Sequence, residues 1–265
     1  MEPEVAAYYR QMGERTRLAA GEGRLEFLRT WDVLSRVLPP PPAAVLDVGG
    51  ATGVYAARLA ETGYRVHVVD PVAEQVAIAA AHAGVTAAVG DARDLDEPDA
   101  AWDAVLLLGP LYHLTDRGDR IRAWREAARV VRPGGVVAAA TISRFASLFD
   151  GYAKGYFTDP VFVAVVRGAL DSGRHEPPAD HRYFTTAYFH HPEELPGEVD
   201  EAGLALDRVV AVEGPVWLTG RVDAILAEPE SAQLLLSLLR RVEAEPSVLG
   251  ASSHLLTVAR RPDPA

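Results

Sequence analysis

Cysteine is absent from the 265-residue chain, which excludes disulfides, thiolate-bound metals and a cysteine nucleophile. Lysine is almost absent, with Lys154 alone. Acidic residues outnumber basic ones 37 to 26, for a formal net charge of −11. Such a surface repels polyanions, and no Lys/Arg block offsets it, so nucleic acid is not an expected partner. No apolar run approaches the ~18 residues needed to span a bilayer. The opening "MEPEVAAYYRQMGERTR" is acidic and then mixed, unlike a signal peptide. These absences predict a soluble, cytoplasmic protein with no membrane partner. Monomer and homodimer both remain open.

What is present is an alternating pattern. Hydrophobic residues make up 49% of the chain, enough for a sizeable core. "LEFLRTWDVLSRVL" has helical spacing, and Pro39–Pro42 end it. From Ala43 short apolar runs alternate with helical stretches: "AVLDV", "YRVHVVD", "VTAAV", "WDAVLLLG" and "VVAAATI" read as strands. The last of these follows the turn "RPGG". This predicts an α/β, Rossmann-like, doubly wound and mostly parallel seven-stranded sheet, with ligands at the carboxyl ends of its strands. After Ile142 the rhythm gives way to aromatic, turn-rich sequence, and it returns in "LALDRVVAV" and "SHLLTVARR". The expected organisation is an N-terminal helical cap and proline connector (1–42), a ligand-binding core (43–142), a helical lid inserted after the fifth strand (143–203) and a C-terminal completion of the sheet (204–265).

The first strand leads into "VLDVGGATG". A dinucleotide fingerprint, G-x-G-x-x-G, fails here, because Ala51 and Val54 occupy glycine positions. Asp47 would repel a pyrophosphate and attract an ammonium or sulfonium. The glycines permit close backbone approach and positive φ. A nicotinamide-dependent oxidoreductase is disfavoured on both counts.

In these residues the chain resembles the class I S-adenosylmethionine-dependent methyltransferases. "VLDVGGATG" looks like their first motif, although position 51 is commonly glycine or proline there and is Ala51 here. "VHVVDP" is similar to the acid-terminated second strand, "GDARDL" to the third motif, "WDAVLLLG" with "PLYHL" to the fourth-strand region, and "RPGG" to the turn before the fifth strand. Five weak motifs in order, over ~100 residues, carry the resemblance together. "ERTRLAAGEGRLEFLRT", "LLGPLYHL", "YFTTAYFHHPEEL" and "VEGPVWL" further resemble actinobacterial small-molecule methyltransferases.

The resemblance implies S-adenosyl-L-methionine as cofactor. It implies cofactor contacts from Asp47, Gly49, Gly50, Ala51 and Gly53, from Asp70 and Pro71 at the ribose, from Asp91 and Ala92 at the adenine, and from Leu108 and Gly109. Arg17 is the candidate for the methionine carboxylate, with Arg29 second, because arginine grips carboxylates in two-pronged fashion. The implied reaction is methyl transfer to an O, N or C atom of a small molecule, such as a secondary metabolite. His113 lies beside the expected methyl group and either packs there or positions or deprotonates the substrate, with a pKa near ~6–7. His190 is the alternative base. Tyr112, Tyr183 and Tyr188 are candidate substrate contacts, though the aromatics after Ile142 equally suit plain packing. His181, His190 and His191 do not make a metal site, since adjacent side chains diverge, and no metal is expected. The competing reading is a non-catalytic module that binds S-adenosylmethionine or a partner.

Overall fold

The computed structural model describes residues 17–178 and 183–263. Among the described residues nine strands form one sheet: β1 (Ala44–Val48), β2 (Arg65–Asp70), β3 (Val85–Val89), β4 (Trp102–Leu107), β5 (Val131–Ser143), β6 (Arg174–His175), β7 (Ala187–His190), β8 (Ala205–Ala211) and β9 (His254–Arg260). Seven of them make the main sheet in the order β3-β2-β1-β4-β5-β9-β8, with β9 antiparallel to both neighbours. The switch in strand order falls between β1 and β4, whose carboxyl ends therefore frame a crevice.

Alternation along the strands builds two cores. Leu46, Val105, Leu107, Val137 and Ala139 face one side, where Trp124 of α5 (Arg117–Val130) covers them. Val45, Ala104, Leu106, Val136 and Ala138 face the other. That second side is covered by Val33 and Leu34 of α1 (Gly21–Val37) and by Ala56 and Leu59 of α2 (Val54–Glu61). A parallel sheet buried on both faces needs such near-continuous apolar strands.

The main sheet has the seven strands expected, and the insertion after β5 adds the hairpin β6–β7, so it is not purely helical. β7 runs parallel to the last residues of β5, with Ile142 opposite Phe189 and Ser143 opposite His190. It takes the side of β5 that β4 leaves when β4 ends and turns into the short helix α4 (Pro110–His113). The insertion is thereby fastened above the tip of β4. β5 also starts earlier than expected. "RPGG" lies inside β5 as a register break, where Gly134 takes φ +72° and a Cβ on Gly135 would meet backbone at 2.8 Å. Among the described residues no helix is long and apolar enough to cross a membrane.

Candidate active site

The turn after β1 is held by backbone bonds that fix its shape. Gly49 N–H donates to the Val69 carbonyl at 2.6 Å, and Gly53 N–H to the Gly50 carbonyl at 2.9 Å. Gly49, Ala51 and Gly53 all take positive φ, so Ala51 adopts at φ +50° a conformation that glycine adopts without strain. The Ala51 N–H donates to Asp70 Oδ2 at 3.0 Å, and the Val72 N–H to Asp70 Oδ1 at 2.9 Å. These two bonds aim the carboxylate closing β2 across the turn. Burial raises its pKa, and the two backbone bonds oppose that rise.

Asp47 sits beneath the turn and is 1% exposed. Among the described residues neither of its carboxylate oxygens has a hydrogen-bond partner. Burial, reinforced by the charge of Asp70, pushes its pKa up to about 7. A buried carboxylate without donors is costly unless something supplies them. A Cβ on Gly50 would lie 2.6 Å from Asp47 Oδ2, so glycine there leaves the carboxylate open to whatever rests on the turn.

These residues border an inner cleft of about 110 Å³. Of the residues singled out for the cofactor, Asp47, Gly49, Gly50, Ala51, Asp70, Pro71, Asp91, Ala92, Leu108 and Gly109 line it. Gly53 instead caps α2 with φ +76°. The Asp91 side chain is turned to Arg93, which takes both its oxygens and holds its pKa at about 2, so Ala92 presents mainly backbone at this end. Tyr55, Gln75, Gly90 and Pro110 also line the cleft, though the sequence analysis did not single them out. Pro110 packs against Gly49, where a Cβ would approach it to 2.7 Å.

A larger outer cavity of about 370 Å³ adjoins the inner cleft, and Tyr112 lines both. Its lining has an aromatic part, Tyr156, Phe162, Tyr183, Phe184, Phe189 and Trp217. It also has a charged part, with Arg17, Glu22, Glu26, Glu213, His254, Asp150 and Lys154. Of this charged part only Arg17 is legible in the sequence. Glu213 follows β8 closely, and His254 opens β9, which runs antiparallel to β5 and so begins where the parallel strands end.

Several candidate residues stand elsewhere than expected. Arg17 lines the outer cavity rather than the inner cleft and pairs two-pronged with Glu26, its Nη2 donating to Oε1 at 2.8 Å. Arg29 is fully buried and spent on Asp32, Glu243 and the Val212 carbonyl. His190 is 0% exposed, borders neither cavity, and lies behind the hairpin 3.6 Å from Glu198; burial lowers its pKa. The structure brings it to neither cavity, so it does not stand where the alternative base was expected. Tyr188 also borders neither cavity: its ring lies 3.7 Å from the Arg120 guanidinium carbon, and its hydroxyl donates to Glu194 at 2.9 Å. Both residues serve the attachment of the insertion. Tyr183 does line the outer cavity and donates to Asp159 at 2.8 Å. His181 lies outside the described residues.

His113 lines the inner cleft, its ring 4.6 Å from that of Tyr112 and 6.2 Å from that of Phe184. Burial pulls its pKa down to about 4, against a backbone hydrogen bond with Thr186. The expected pKa near 6–7 is therefore corrected. His113 is a neutral imidazole at physiological pH and a weak base.

Glu26, Glu213 and His254 bring ligand atoms within 4.8 Å of one another, the spacing of a metal site. Their donors are already engaged. Arg17 takes both oxygens of Glu26; Ser252 Oγ–H and the His254 N–H take Glu213 Oε2, at 2.8 and 3.0 Å; and His254 Nδ1 takes Glu213 Oε1 at 2.6 Å. The donor set reads as an ion-pair cluster closed by a proton on histidine.

Fold and turn together make a Rossmann-like cleft with an acid under the glycines and a second acid closing β2. The comparisons with known proteins carry this further. A methyltransferase-domain family model matches residues 45–135. An uncharacterized methyltransferase of Mycobacterium tuberculosis (strain H37Rv) is 37% identical over 105 residues, 39% of this chain and 42% of the relative, so the chain spans under half of that relative's length. A ubiquinone biosynthesis O-methyltransferase of Methylobacterium sp. (strain 4-46) is 32% identical over 200 residues, 71% of this chain and 73% of the relative. The fold is shared with an S-adenosylmethionine-dependent methyltransferase of Methanosarcina mazei at TM-score 0.60 and 17% identity, covering 87% of this chain and 97% of the other. The chain belongs to the class I S-adenosylmethionine-dependent methyltransferases, and its cofactor is S-adenosylmethionine. The residues present fit that group: among the described residues Asp47 lacks donors that an ammonium would supply, and Asp70, held by two backbone N–H groups, lines the same cleft and could accept from the ribose hydroxyls.

Proposed function

We propose that the chain transfers a methyl group to an O, N or C atom of a small, ring-bearing molecule held in the outer cavity. The observation that carries this reading is the junction at Tyr112, where the inner cleft meets an aromatic-walled cavity large enough for a small substrate. Bound S-adenosylmethionine supplies an electrophilic methyl on a positive sulfur.

The protein's part is to hold acceptor and methyl in line and to keep water out. Asp70 and the turn around Ala51 fix the cofactor's position in the cleft. Tyr112 stands between the two spaces, and its aromatic face suits a neighbouring cation. Phe184 of the insertion, with ring centroids 6.5 Å from Tyr112, closes the junction from above. No covalent nucleophile is required.

A labelled-methyl transfer screen against phenols, amines, carboxylates and activated carbon acids tests the reading. Label should move from S-adenosylmethionine to at least one ring-bearing class, and Phe184→Ala should lower that rate. A protein that binds the cofactor but transfers label to no class would favour a binding module over an enzyme.

A further inference from the structure

The mechanism above leaves the charged wall of the outer cavity without a task, and its centre is His254. This residue opens β9 opposite Ile142 of β5, at the carboxyl edge of the sheet. Glu213 is 2% exposed and locked by Ser252 and by the backbone N–H of His254. It takes the His254 Nδ1 proton at 2.6 Å, and Glu26 Oε2 lies 3.8 Å from the same nitrogen. Both carboxylates thus sit on one side of the ring. Among the described residues no hydrogen bond uses Nε2, and His254 lines the cavity with 20% of its side chain exposed.

We propose that His254 is the acceptor anchor, its Nε2–H donating to an oxygen anion carried by an aromatic ring that lies against the aromatic wall. The inference rests on the methyltransferase reading, because it assigns the outer cavity to the acceptor. The class of ligand follows from the donor and the aromatic lining: a planar aromatic compound bearing a phenolate or a carboxylate.

The charges around His254 support an anion. Arg17 is paired with Glu26, and Asp150 with Lys154 at 2.6 Å. Glu213 is paired with His254 itself. Glu22 is 3.8 Å from Lys154. Four carboxylates thus stand beside three cations, and the Nε2–H of His254 is left without a hydrogen bond among the described residues. Against the cost of burial, Glu26 and Glu213 raise the His254 pKa to about 9, with Arg17 opposing, so the ring stays cationic at neutral pH.

Calorimetric titration of the full chain with four probes tests the proposal: para-nitrophenol, benzoate, nitrobenzene and benzylamine, each with and without S-adenosylhomocysteine. Para-nitrophenol or benzoate should bind, and His254→Ala should weaken that anion by about ten- to hundredfold while leaving nitrobenzene unchanged. The preferred anion identifies the source of the oxygen. Bound para-nitrophenol should show the visible absorption of its phenolate. His254→Gln, which keeps an N–H donor, should recover part of the loss. Glu213→Gln should move the alkaline loss of anion binding downward from about pH 9, since it removes one of the two carboxylates holding the ring charged.

Equal anion affinity in wild type and His254→Ala overturns the proposal, as does a parallel loss for nitrobenzene or tighter binding of benzylamine than of either anion. S-adenosylhomocysteine affinity is read on the same samples. A protein that refuses S-adenosylhomocysteine overturns the reading of the inner cleft, while the anion arms without it still decide the role of His254. Unchanged S-adenosylhomocysteine binding in the variants shows that they are folded.

Discussion

At the scale of single residues, the site is governed by what burial does to charge. Asp47 is the sharpest case. Its folded pKa lies at about 7 against an ordinary 3.8, so folding favours the protonated form. The apoprotein therefore loses stability as pH rises from about 4 through about 7, and above that it carries an uncompensated buried charge. Asp47→Asn removes this penalty. The apoprotein should melt higher than wild type at pH ~8, by an amount reflecting up to a few kcal/mol, and the gap should close near pH ~4. The same variant should bind S-adenosylmethionine more weakly, because the ammonium loses its counter-charge. Thermal melts against pH with calorimetric titration check both; equal melting at pH ~8 would mean that a donor already satisfies the carboxylate.

His113 makes the opposite prediction about rate. With its pKa at about 4, it has no titration near neutrality to contribute. Once an acceptor is known, the pH profile of kcat between pH ~5.5 and ~8 should keep its shape in His113→Gln. A rise through pH ~6.5 that the variant abolishes would show the imidazole to be exposed and basic in the complex.

At the scale of elements, α1 and the β6–β7 hairpin are the parts that join the two spaces. Leu18, just before α1, lines the inner cleft, while Arg17, Glu22 and Glu26 line the outer cavity. The rest of α1 is fixed by Val33 and Leu34 in the core and by the fully buried Arg29 among Asp32 and Glu243. The start of this segment is therefore tied to ligand, and its end to the fold. Hydrogen exchange over residues 17–28 should slow on binding S-adenosylhomocysteine, with little change over 30–37. Uniform exchange with and without ligand would make the whole helix a structural cover.

The hairpin is held differently. Arg120 and Glu198 form a buried pair at 2.9 Å beneath the Tyr188 ring, with His190 against Glu198. Removing one partner of a buried pair strands the other charge, at a cost of ~3–5 kcal/mol. Glu198→Ala should therefore lower the melting temperature far more than a surface substitution. Chemical denaturation checks this, and a change under ~1 kcal/mol would mean that the pair is solvated.

At the scale of the whole molecule, legibility followed the range of the interactions. The strands from β1 to β5 and the acids Asp47 and Asp70 were readable because each depends on a local run: apolar residues, then an acid, then glycines. The hairpin β6–β7 was not readable. Its pairing with β5 rests on Ile142 and Ser143 meeting Phe189 and His190, some 47 residues away in the chain, and its strands are only two and four residues long. His190 and Tyr188 looked functional because histidine and tyrosine in a turn-rich insertion resemble pocket residues; tertiary packing with Arg120 put them behind the wall instead. His254 and Glu213 were overlooked because each looks like an ordinary strand terminus, and only the antiparallel course of β9 brings both to the ligand edge.

Cofactor binding in the inner cleft turns on Asp70. If the inner cleft is an S-adenosylmethionine site, the carboxylate aimed by the Ala51 and Val72 amides carries the ribose. Calorimetric titration of wild type and Asp70→Ala with S-adenosylhomocysteine, and of wild type with NAD, is the direct measurement. One site for S-adenosylhomocysteine, none for NAD, and an affinity loss of about ten- to hundredfold in the variant are expected. Tighter binding of NAD than of S-adenosylhomocysteine, or an Asp70→Ala protein that binds S-adenosylhomocysteine as wild type does, would contradict the account.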